Sequence, residues 1–499
     1  MAKENYNSIY SSHRYVFIER FEKNLEYYLK DQIKRIYKLK QEILCIVYKD
    51  NLYDVLKELK NNSEFNIQSL KDISRYKSGD KVYVLISLYS AVSNFSILLK
   101  VSISPQDLED EYDEIVKLTA DFYRAAGFYR DRTDLKLKYS DATVFSQNLD
   151  GMDCFDIYLS TCEDKIKNAY IDTGICRTVS DNFYHDLNII SVIPYISRFD
   201  YRAGIFPELA LCTSFEDLMQ MKIPRRSQYI RMLLCELYRI SNHIYFIVNI
   251  SKVLGCDVIY NLALTEKERA LRIIEFITGS RIVPNFIRVG GVRKNISEED
   301  TNIVISNLPV LYKNIVKIEK MLLGNTVIAG KLKDIGVINR ESALEFGLTG
   351  PNLRASGVRY DLRKNRNLLM YKKFSFITPI GKFGDCLSRV FIRFQEIYQS
   401  ISIIRQILGE MPEDSFKRII SMPSFEFPFS AMTSSIECPH GDFKVFIEVK
   451  ENKLLSLVIM GPSKNSLFLS EEVLRDNKLE DLNLILASLD ISSGEIMHS

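Results

Sequence analysis

The sequence lacks the ligand patterns by which proteins usually hold metals and cofactors. Its nine cysteines are scattered, no two closer than eight residues, and it has only five histidines and no HExxH. Zinc and iron–sulfur sites need closely spaced cysteines or histidines. A Walker loop, GxGxxG and GxSxG are also missing. We therefore expect the chain to bind no metal or cofactor of its own.

The sequence also lacks a charge excess and a long apolar run. Lys and Arg number 66 against 64 Asp and Glu, a formal charge of +2, whereas nucleic-acid binders usually carry a basic excess. No run approaches the roughly 18 apolar residues of a membrane span, and the first residues do not resemble a signal peptide. Scattered thiols suit a reducing compartment. We expect a soluble or peripheral intracellular protein that binds no nucleic acid.

What is present points to an α+β protein of 499 residues in two parts. In residues 1–148, mixed apolar and charged spacing predicts helices, and β-rich runs predict strands that include a hairpin. The predicted helices are 18–35, 51–60 and 108–129, and the predicted strands are 42–49, 82–90 and 94–103. The polar stretch 130–153 is the predicted linker.

From residue 149 onward the pattern changes to long helices with a few short strands. The predicted helices are 227–248, 262–278, 298–323 and 389–408, and the predicted strands are 443–450 and 453–460. In the first of these helices an apolar stripe leaves Arg231, Glu236, Arg239 and His243 off it or at its edge. The helices should form one helical core.

Two places carry candidate chemistry. Arg198, Asp200 and Tyr201 lie together in PYISRFDYRAG, and a phenol held by a carboxylate can donate a proton or bind a carbonyl oxygen. A polar turn without chemistry is the alternative. His243 follows Glu236 and Arg239 on one helix, where it could titrate near neutral pH or simply pack within the bundle.

The densest run of the chain is GPNLRASGVRYDLRK, residues 350–364. Glycine there permits backbone angles that other residues resist, and interleaved arginine and aspartate can satisfy one another. The run is predicted to be an ordered loop at a functional or subunit surface, or a structured surface loop without chemical use.

Several segments, in order, resemble the 49-kDa-type (D-type) subunit of respiratory complex I. They are IPRRSQYIRMLLCELYRISNHI (223–244), GSRIVPNFIRVGGV (279–292), FGLTGPNLRASGVRYDLRK (346–364), the stretch 379–408, SSIECPHGDFKVFI (434–447), MGPS (460–463) and SLDISSGEI (488–496). Residues 1–148 more faintly resemble the 30-kDa-type (C-type) subunit through FYRAAGFYRDRTDL (122–135). The chain thus resembles a fusion of the C-type and D-type subunits.

The resemblance implies a fold and a function. A small α+β C-like domain (1–148) would precede a mainly helical domain (149–499) like the large subunit of nickel–iron hydrogenases, with small β segments. The chain would be a peripheral-arm subunit of an NADH:quinone oxidoreductase, a respiratory-chain translocase, and would help form the quinone site. Tyr201, with Asp200 beside it, would bind the quinone headgroup.

The resemblance also implies partners. Arg198 and His243 would lie beside the terminal [4Fe-4S] cluster of a small B-type subunit, while NAD and FMN bind elsewhere in the complex. A ferredoxin-like I-type subunit and a membrane H-type subunit are the other expected neighbours. The chain would lie peripherally on the cytoplasmic side of a bacterial inner membrane, or on the matrix side in an organelle.

The sequence lacks the metal-binding cysteines of the nickel–iron hydrogenases and a histidine loop of the 49-kDa-type family. Asp200, Ala203, Ser492 and Glu495 match the four metal-binding cysteines of the hydrogenases; without thiolates a nickel–iron centre is excluded. Residues 150–180 contain no histidine, so the family's HPxxHG loop is missing.

A second turn of the family, GxLHRG, has Arg177 at its histidine position. Three alternatives remain open. Another residue such as His185 takes the histidine's role, Tyr201 alone binds a different or weaker quinone, or the chain is a diverged structural subunit with altered or lost quinone reduction.

Overall fold

The structure, a computed structural model, describes most of the chain. The described residues are 18–39, 42–78, 81–90, 95–104, 108–123, 143–149, 152–173, 187, 189–366, 368–418, 430–451 and 453–497. Arg177, His185 and the segment 124–142 lie outside them.

The N-terminal part is a five-stranded sheet with three helices around one hydrophobic core. The strand order is β1-β2-β5-β4-β3, with β2 and β5 parallel and all other neighbours antiparallel. The elements are α1 (18–29), β1 (Ile33–Lys38), β2 (Ile43–Val47), α2 (Leu52–Asn61), β3 (Ser69–Ser78), β4 (Lys81–Ser90), β5 (Phe95–Ile103) and α3 (Leu108–Phe122).

A three-stranded antiparallel sheet and the helices follow. The sheet comprises β6 (Thr143–Leu149), β7 (Met152–Cys162) and β8 (Lys165–Asp172). The next elements are α4 (Ile189–Ile196), α5 (Ile205–Leu218), α6 (Arg225–Val253), α7 (Asp257–Thr278), β9 (Ile287–Arg288), β10 (Gly291–Val292), α8 (Glu298–Leu322), α9 (Thr326–Gly330), α10 (Arg340–Glu345), α11 (Gly350–Ala355), α12 (Leu362–Asn365) and α13 (Cys386–Gly409).

Four long helices form a bundle at the centre of this part. α6 contacts α7 and α13, and α8 contacts the same two helices, which closes the ring. The start of α8 is fixed by a capping box between Ser297 and Asp300, which satisfies backbone N–H groups that the helix leaves unpaired. None of the described helices is both long enough and apolar enough to cross a bilayer.

The C-terminal elements form a further three-stranded sheet, here called the C-terminal sheet, and three helices. β11 (Ser430–Glu437), β12 (Asp442–Lys450) and β13 (Lys453–Met460) make an antiparallel meander. α14 (Ser463–Val473), α15 (Leu482–Leu489) and α16 (Ser493–Met497) complete the chain. α15 contacts α6 and α13, so the end of the chain returns to the bundle.

The five-stranded sheet and the C-terminal sheet meet through buried contacts. An apolar cluster joins Leu44 and Leu98 of the five-stranded sheet to Phe446 and Val458 of the C-terminal sheet. Glu42 is buried between Arg366 at 2.9 Å and Lys444 at 3.0 Å. The domain boundary at residue 148 stays a prediction, because the segment before β6 lies outside the described residues.

The α+β class and most predicted elements are confirmed, but the structure also contains elements that were not predicted, among them β7, β8, α5, α14 and α15. The first predicted helix ends at residue 29, and β1 begins at Ile33. Part of the predicted linker 130–153 is β6, paired with β7. Strand β3 was not predicted, because its buried side chains include polar ones such as Asp72, which pairs with Lys464 and hides the apolar alternation.

The predicted surface position of the run 350–364 is wrong for most of its residues. Arg354, Asp361 and Arg363 are at most 1% exposed, and among the charged residues of the run only Arg359 and Lys364 are exposed. Arg354 donates to Glu396 and to Glu437, each at 2.8 Å. The run is therefore an ion-paired part of the core.

Candidate functional site

The candidate tyrosine lies on a turn between α4 and α5. The backbone of Asp200 is extended, with φ −139° and ψ 101°, so neighbouring side chains point to opposite sides. Asp200 is 2% exposed and Tyr201 is 41% exposed. Arg198 is also exposed. The turn thus directs the acid inward and the phenol outward.

The turn is seated against the last helix of the chain. A Cβ added to Gly494 would lie 1.8 Å from the Phe199 carbonyl oxygen and 3.3 Å from the Asp200 Cα. Only glycine allows that approach, because a contact below 3.0 Å forces the backbone to move. The hydroxyl of Ser492 donates to an Asp200 carboxylate oxygen at 3.3 Å.

Behind the turn, Asp200 faces a buried histidine, His440, in the short connection between β11 and β12. The His440 Nδ1 atom lies 2.9 Å from Glu495 Oε1 and 3.8 Å from Asp200 Oδ2. Its Nε2 atom lies 3.1 Å from Arg202 Nη2 and 3.7 Å from Asp490 Oδ2. One imidazole therefore faces residues from two separate parts of the chain, 200–202 and 490–495.

The protonation of this group is set by burial and by its neighbours. Burial alone would lower the pKa of His440, but Glu495 and Asp490 raise it above the usual value, against the opposing charge of Arg202. Burial and the charge of Glu495 also raise the pKa of Asp200. Both shifts favour the protonated forms of His440 and Asp200 in this site, where several carboxylates lie close together.

A chain of ion pairs leads from this group to His243. Arg202 and Arg393 both contact Asp490, at 2.9 Å and 3.0 Å. Arg393 Nη1 lies 3.2 Å from His243 Nδ1, and His243 Nε2 lies 2.9 Å from a Glu396 oxygen. The structure thus links His243 to the Asp200 turn through buried side chains.

The expectation that His243 titrates near neutral pH is wrong for this chain. Burial lowers the pKa of His243 to about 4; Glu396 opposes the shift, and Arg393 and Arg239 add to it. Arg231, Glu236 and Arg239 are also buried, because each has ion-pair or carbonyl partners inside the protein. The apolar stripe does not mark the buried face of α6, since the helix is buried on nearly all sides.

The four positions that match hydrogenase cysteines are partly brought together. Asp200 contacts Ser492, and Asp200 and Glu495 share His440; Ala203 is buried nearby in sequence. None of them offers a sulfur ligand, so the residues do not fit a nickel–iron centre.

A thiol, an imidazole and a carboxylate do lie within 4.8 Å of one another here, from Cys438, His440 and Glu495. Burial, Glu495 and Asp200 raise the pKa of the Cys438 thiol well above its usual range, so the sulfur stays protonated. The guanidinium of Arg202 already occupies the other side of the imidazole. These three side chains therefore belong to a cluster in which buried charges neutralise one another, and they are not arranged as an open metal site.

Sequence reasoning missed His440, Arg202, Asp490 and Arg393. His440 and Asp490 lie in segments that carry the family resemblance. Nothing in the sequence, however, indicates that residue 200 lies close in space to residues 440 and 490. A Pro-His-Gly turn between two strands was the only available signal.

The comparisons with known proteins agree on one family. Residues 254–423 match the model of the respiratory-chain NADH dehydrogenase 49 Kd subunit. The chain is 33% identical over 333 residues to the D-type subunit of the NADH-quinone oxidoreductase of Clostridium beijerinckii, covering 66% of this chain and 87% of that protein. For the corresponding D-type subunit of Rickettsia typhi the identity is 30% over 359 residues, with 66% and 92% covered.

A solved structure is also similar. A chain of the membrane-bound sulfane sulfur reductase, an archaeal respiratory membrane complex, superposes with a TM-score of 0.68 at 27% identity, covering 71% of this chain and 98% of that one. The 30-kDa-type assignment of residues 1–148 remains a prediction. The 49-kDa-type resemblance is confirmed: the chain belongs to the family of 49-kDa-type (D-type) subunits of NADH-quinone oxidoreductases, and is thus a subunit of an oxidoreductase complex.

Proposed function

We propose that the chain forms one wall of a quinone pocket at the Asp200–Gly204 turn, with Tyr201 as the residue that binds the headgroup. The observation that carries the proposal is the position of Tyr201, 41% exposed between two residues, Asp200 and Arg202, that are anchored inside. The phenol is therefore exposed to a ligand, while the backbone that carries it is held in place. The D-type relatives, which are named for quinone, support it.

Reduction of a quinone to a quinol consumes two electrons and two protons. The electrons would come from a [4Fe-4S] cluster held by a small B-type subunit, since this chain offers no sulfur ligand set of its own. Tyr201 would donate a hydrogen bond from its hydroxyl to one quinone oxygen and supply the first proton, which solvent then replaces, and the second proton would reach the other quinone oxygen from solvent. Arg198, which is exposed, is proposed to face the cluster, where a cation raises the reduction potential.

His243 is proposed to act on the same cluster from inside the chain. Its imidazole is neutral at pH 7, because its pKa is about 4. Reduction of a nearby cluster adds a negative charge, which favours the protonated form and couples electron entry to proton uptake. The ion pairs through Arg393 and Asp490 connect this event to the turn that carries Tyr201.

The partners follow from the family. We propose contacts with the B-type, I-type and H-type subunits and a peripheral position on the cytoplasmic face of a bacterial membrane, or the matrix face in an organelle. NAD and FMN would bind to other subunits. The exposed apolar side chains of α7 and α8, Val258, Phe276, Ile305, Tyr312 and Val316, are surfaces that such neighbours could cover.

The test is the substitution Tyr201→Phe in the complex purified with its partners. Loss of one hydrogen bond costs about 1–3 kcal/mol, which is roughly 5- to 150-fold in binding. With the proton donor removed as well, we expect inhibitor-sensitive quinone reductase activity to fall at least tenfold. Tyr48→Phe is the matched control, since Tyr48 is 48% exposed in the N-terminal part. Unchanged activity in Tyr201→Phe would refute the headgroup role.

A second candidate function is a diverged subunit of a related membrane-bound redox complex that has altered or lost quinone reduction. Two observations favour it: residues 150–180 contain no histidine, and the similar solved structure belongs to a sulfane sulfur reductase. Assaying the purified complex with a quinone and with a polysulfide separates the two. Polysulfide reduction without quinone reduction would establish the second function.

A further inference from the structure

The cluster behind the tyrosine turn is balanced by a single proton. Three carboxylates, Asp200, Asp490 and Glu495, face two guanidinium groups, Arg202 and Arg393. All five groups are at least nine-tenths buried, and an uncompensated charge in such a place is costly. One further proton makes the set neutral.

His440 is the residue best placed to hold that proton. Its two ring nitrogens reach all three carboxylates within 3.8 Å, with Glu495 nearest at 2.9 Å. Among the described residues, the thiol of Cys438 also contacts the cluster, 3.8 Å from Glu495, and burial keeps this thiol neutral. His243 reaches the cluster only through Arg393.

The cluster also determines where Tyr201 stands. Of the residues on either side of it, Asp200 faces the His440 ring, and Arg202 bonds to Asp490, to the ring and to the Ile491 carbonyl oxygen at 3.2 Å. The backbone N–H of Arg202 also donates to Asp200 at 3.1 Å. The phenol is therefore carried by a turn that is held from inside on both flanks.

We propose that His440 is a positioning residue whose cationic form, hydrogen-bonded to Glu495 and facing the Asp200 carboxylate, locks the Asp200–Gly204 turn and so places Tyr201 for its substrate. The inference rests on the proposed function of Tyr201. It adds that the turn carrying Tyr201 is held in place only while His440 is protonated. Deprotonation leaves a net negative charge in the cluster, and repulsion between Asp200 and Glu495 loosens the turn.

The direction of the pH dependence follows from the environment of His440. Its pKa is raised by Glu495 and Asp490 despite burial, so the cation is complete below the ordinary histidine value of about 6.5. The support is lost as the pH rises through the raised pKa of the folded state. Activity should therefore fall on the alkaline side.

The test compares His440→Lys with His440→Gln in the complex purified with its partners. Lysine keeps a cation up to roughly pH 10, whereas glutamine removes it. We expect His440→Gln to lower kcat/KM for a short-chain quinone at least fivefold at pH 7, mainly through KM. His440→Lys should restore kcat/KM to within twofold and move the alkaline limb of the pH profile up by at least one unit.

Each outcome decides the matter. If lysine and glutamine impair the complex equally, or if lysine leaves the alkaline limb where it was, His440 only fills space and the inference is wrong. If the complex with His440→Gln does not assemble, the test is the alkaline limb of the pH profile of His440→Lys, compared with that of the unsubstituted complex. A stoichiometric transition metal that is lost in Cys438→Ser would also overturn it. A normal rate in Tyr201→Phe would instead overturn the proposed function.

Discussion

Removing the guanidinium of Arg354 should destabilise the protein, because two buried carboxylates would lose their cationic partner. Arg354 is fully buried; it donates to Glu396 and Glu437, each at 2.8 Å, and to the carbonyl oxygen of Tyr360 at 2.8 Å. Breaking a buried pair by removing one partner costs about 3–5 kcal/mol. At roughly 2 °C per kcal/mol for a large domain, Arg354→Met should unfold about 6–10 °C earlier.

The pH dependence identifies the cause. In the intact protein burial raises the pKa of Glu396, but Arg354 and His243 hold it well below the ordinary value. Without Arg354, burial dominates and the pKa of Glu396 rises, so the variant's folded state takes up a proton more readily. The destabilisation should therefore be largest above pH 7 and shrink as the pH falls toward 5.

The assay is thermal unfolding of the full chain, followed by far-ultraviolet circular dichroism from pH 5 to pH 8. Arg359→Met is the matched control, because Arg359 is an exposed arginine five positions away on the same segment; it should change stability by no more than about 0.5 kcal/mol. A loss for Arg354→Met that is the same at every pH would refute the charge argument and indicate lost packing instead.

Two further predictions concern the site. Gly494→Ala would place a Cβ 1.8 Å from the Phe199 carbonyl oxygen and so displace the turn that carries Tyr201. We expect this variant to lose at least tenfold in quinone reductase activity. Gly330→Ala is the control and should change the activity little, because its Cβ would meet nothing within 4 Å. His243→Ala should flatten the pH dependence of the midpoint potential of the neighbouring cluster, measured by redox titration, because the imidazole that takes up the proton is gone; a slope that does not change would remove His243 from that role.

The sequence predicted those elements whose local pattern agrees with their final environment. β4 and β5, whose β-rich runs predicted a hairpin, form the expected antiparallel pair. The helix predicted at 298–323 is Glu298–Leu322, because its capping residues and apolar spacing are local features. Asp200 and Tyr201 stand side by side in the candidate motif, and the structure directs them to opposite sides of one turn.

Prediction failed where distant charges neutralise each other. Arg354 and Arg363 looked like surface residues because an isolated arginine belongs in water. The carboxylates that make their burial possible, Glu396 and Glu236, lie elsewhere in the chain, at 2.7 Å and 3.3 Å. The expected titration of His243 failed for the same reason, since a buried site lined by Arg393 and Arg239 lowers its pKa.

The sequence by itself determined the family, the α+β class and the segment that presents Tyr201, because ordered motifs and local periodicity survive in one dimension. Only the tertiary structure decided which groups share protons and charge. Asp200, His440 and Glu495 come from a turn, a strand connection and the last helix, and they meet because the C-terminal segment returns to the bundle. Electrostatic interaction depends on distance in space and on burial, and neither is written in the spacing of residues along the chain.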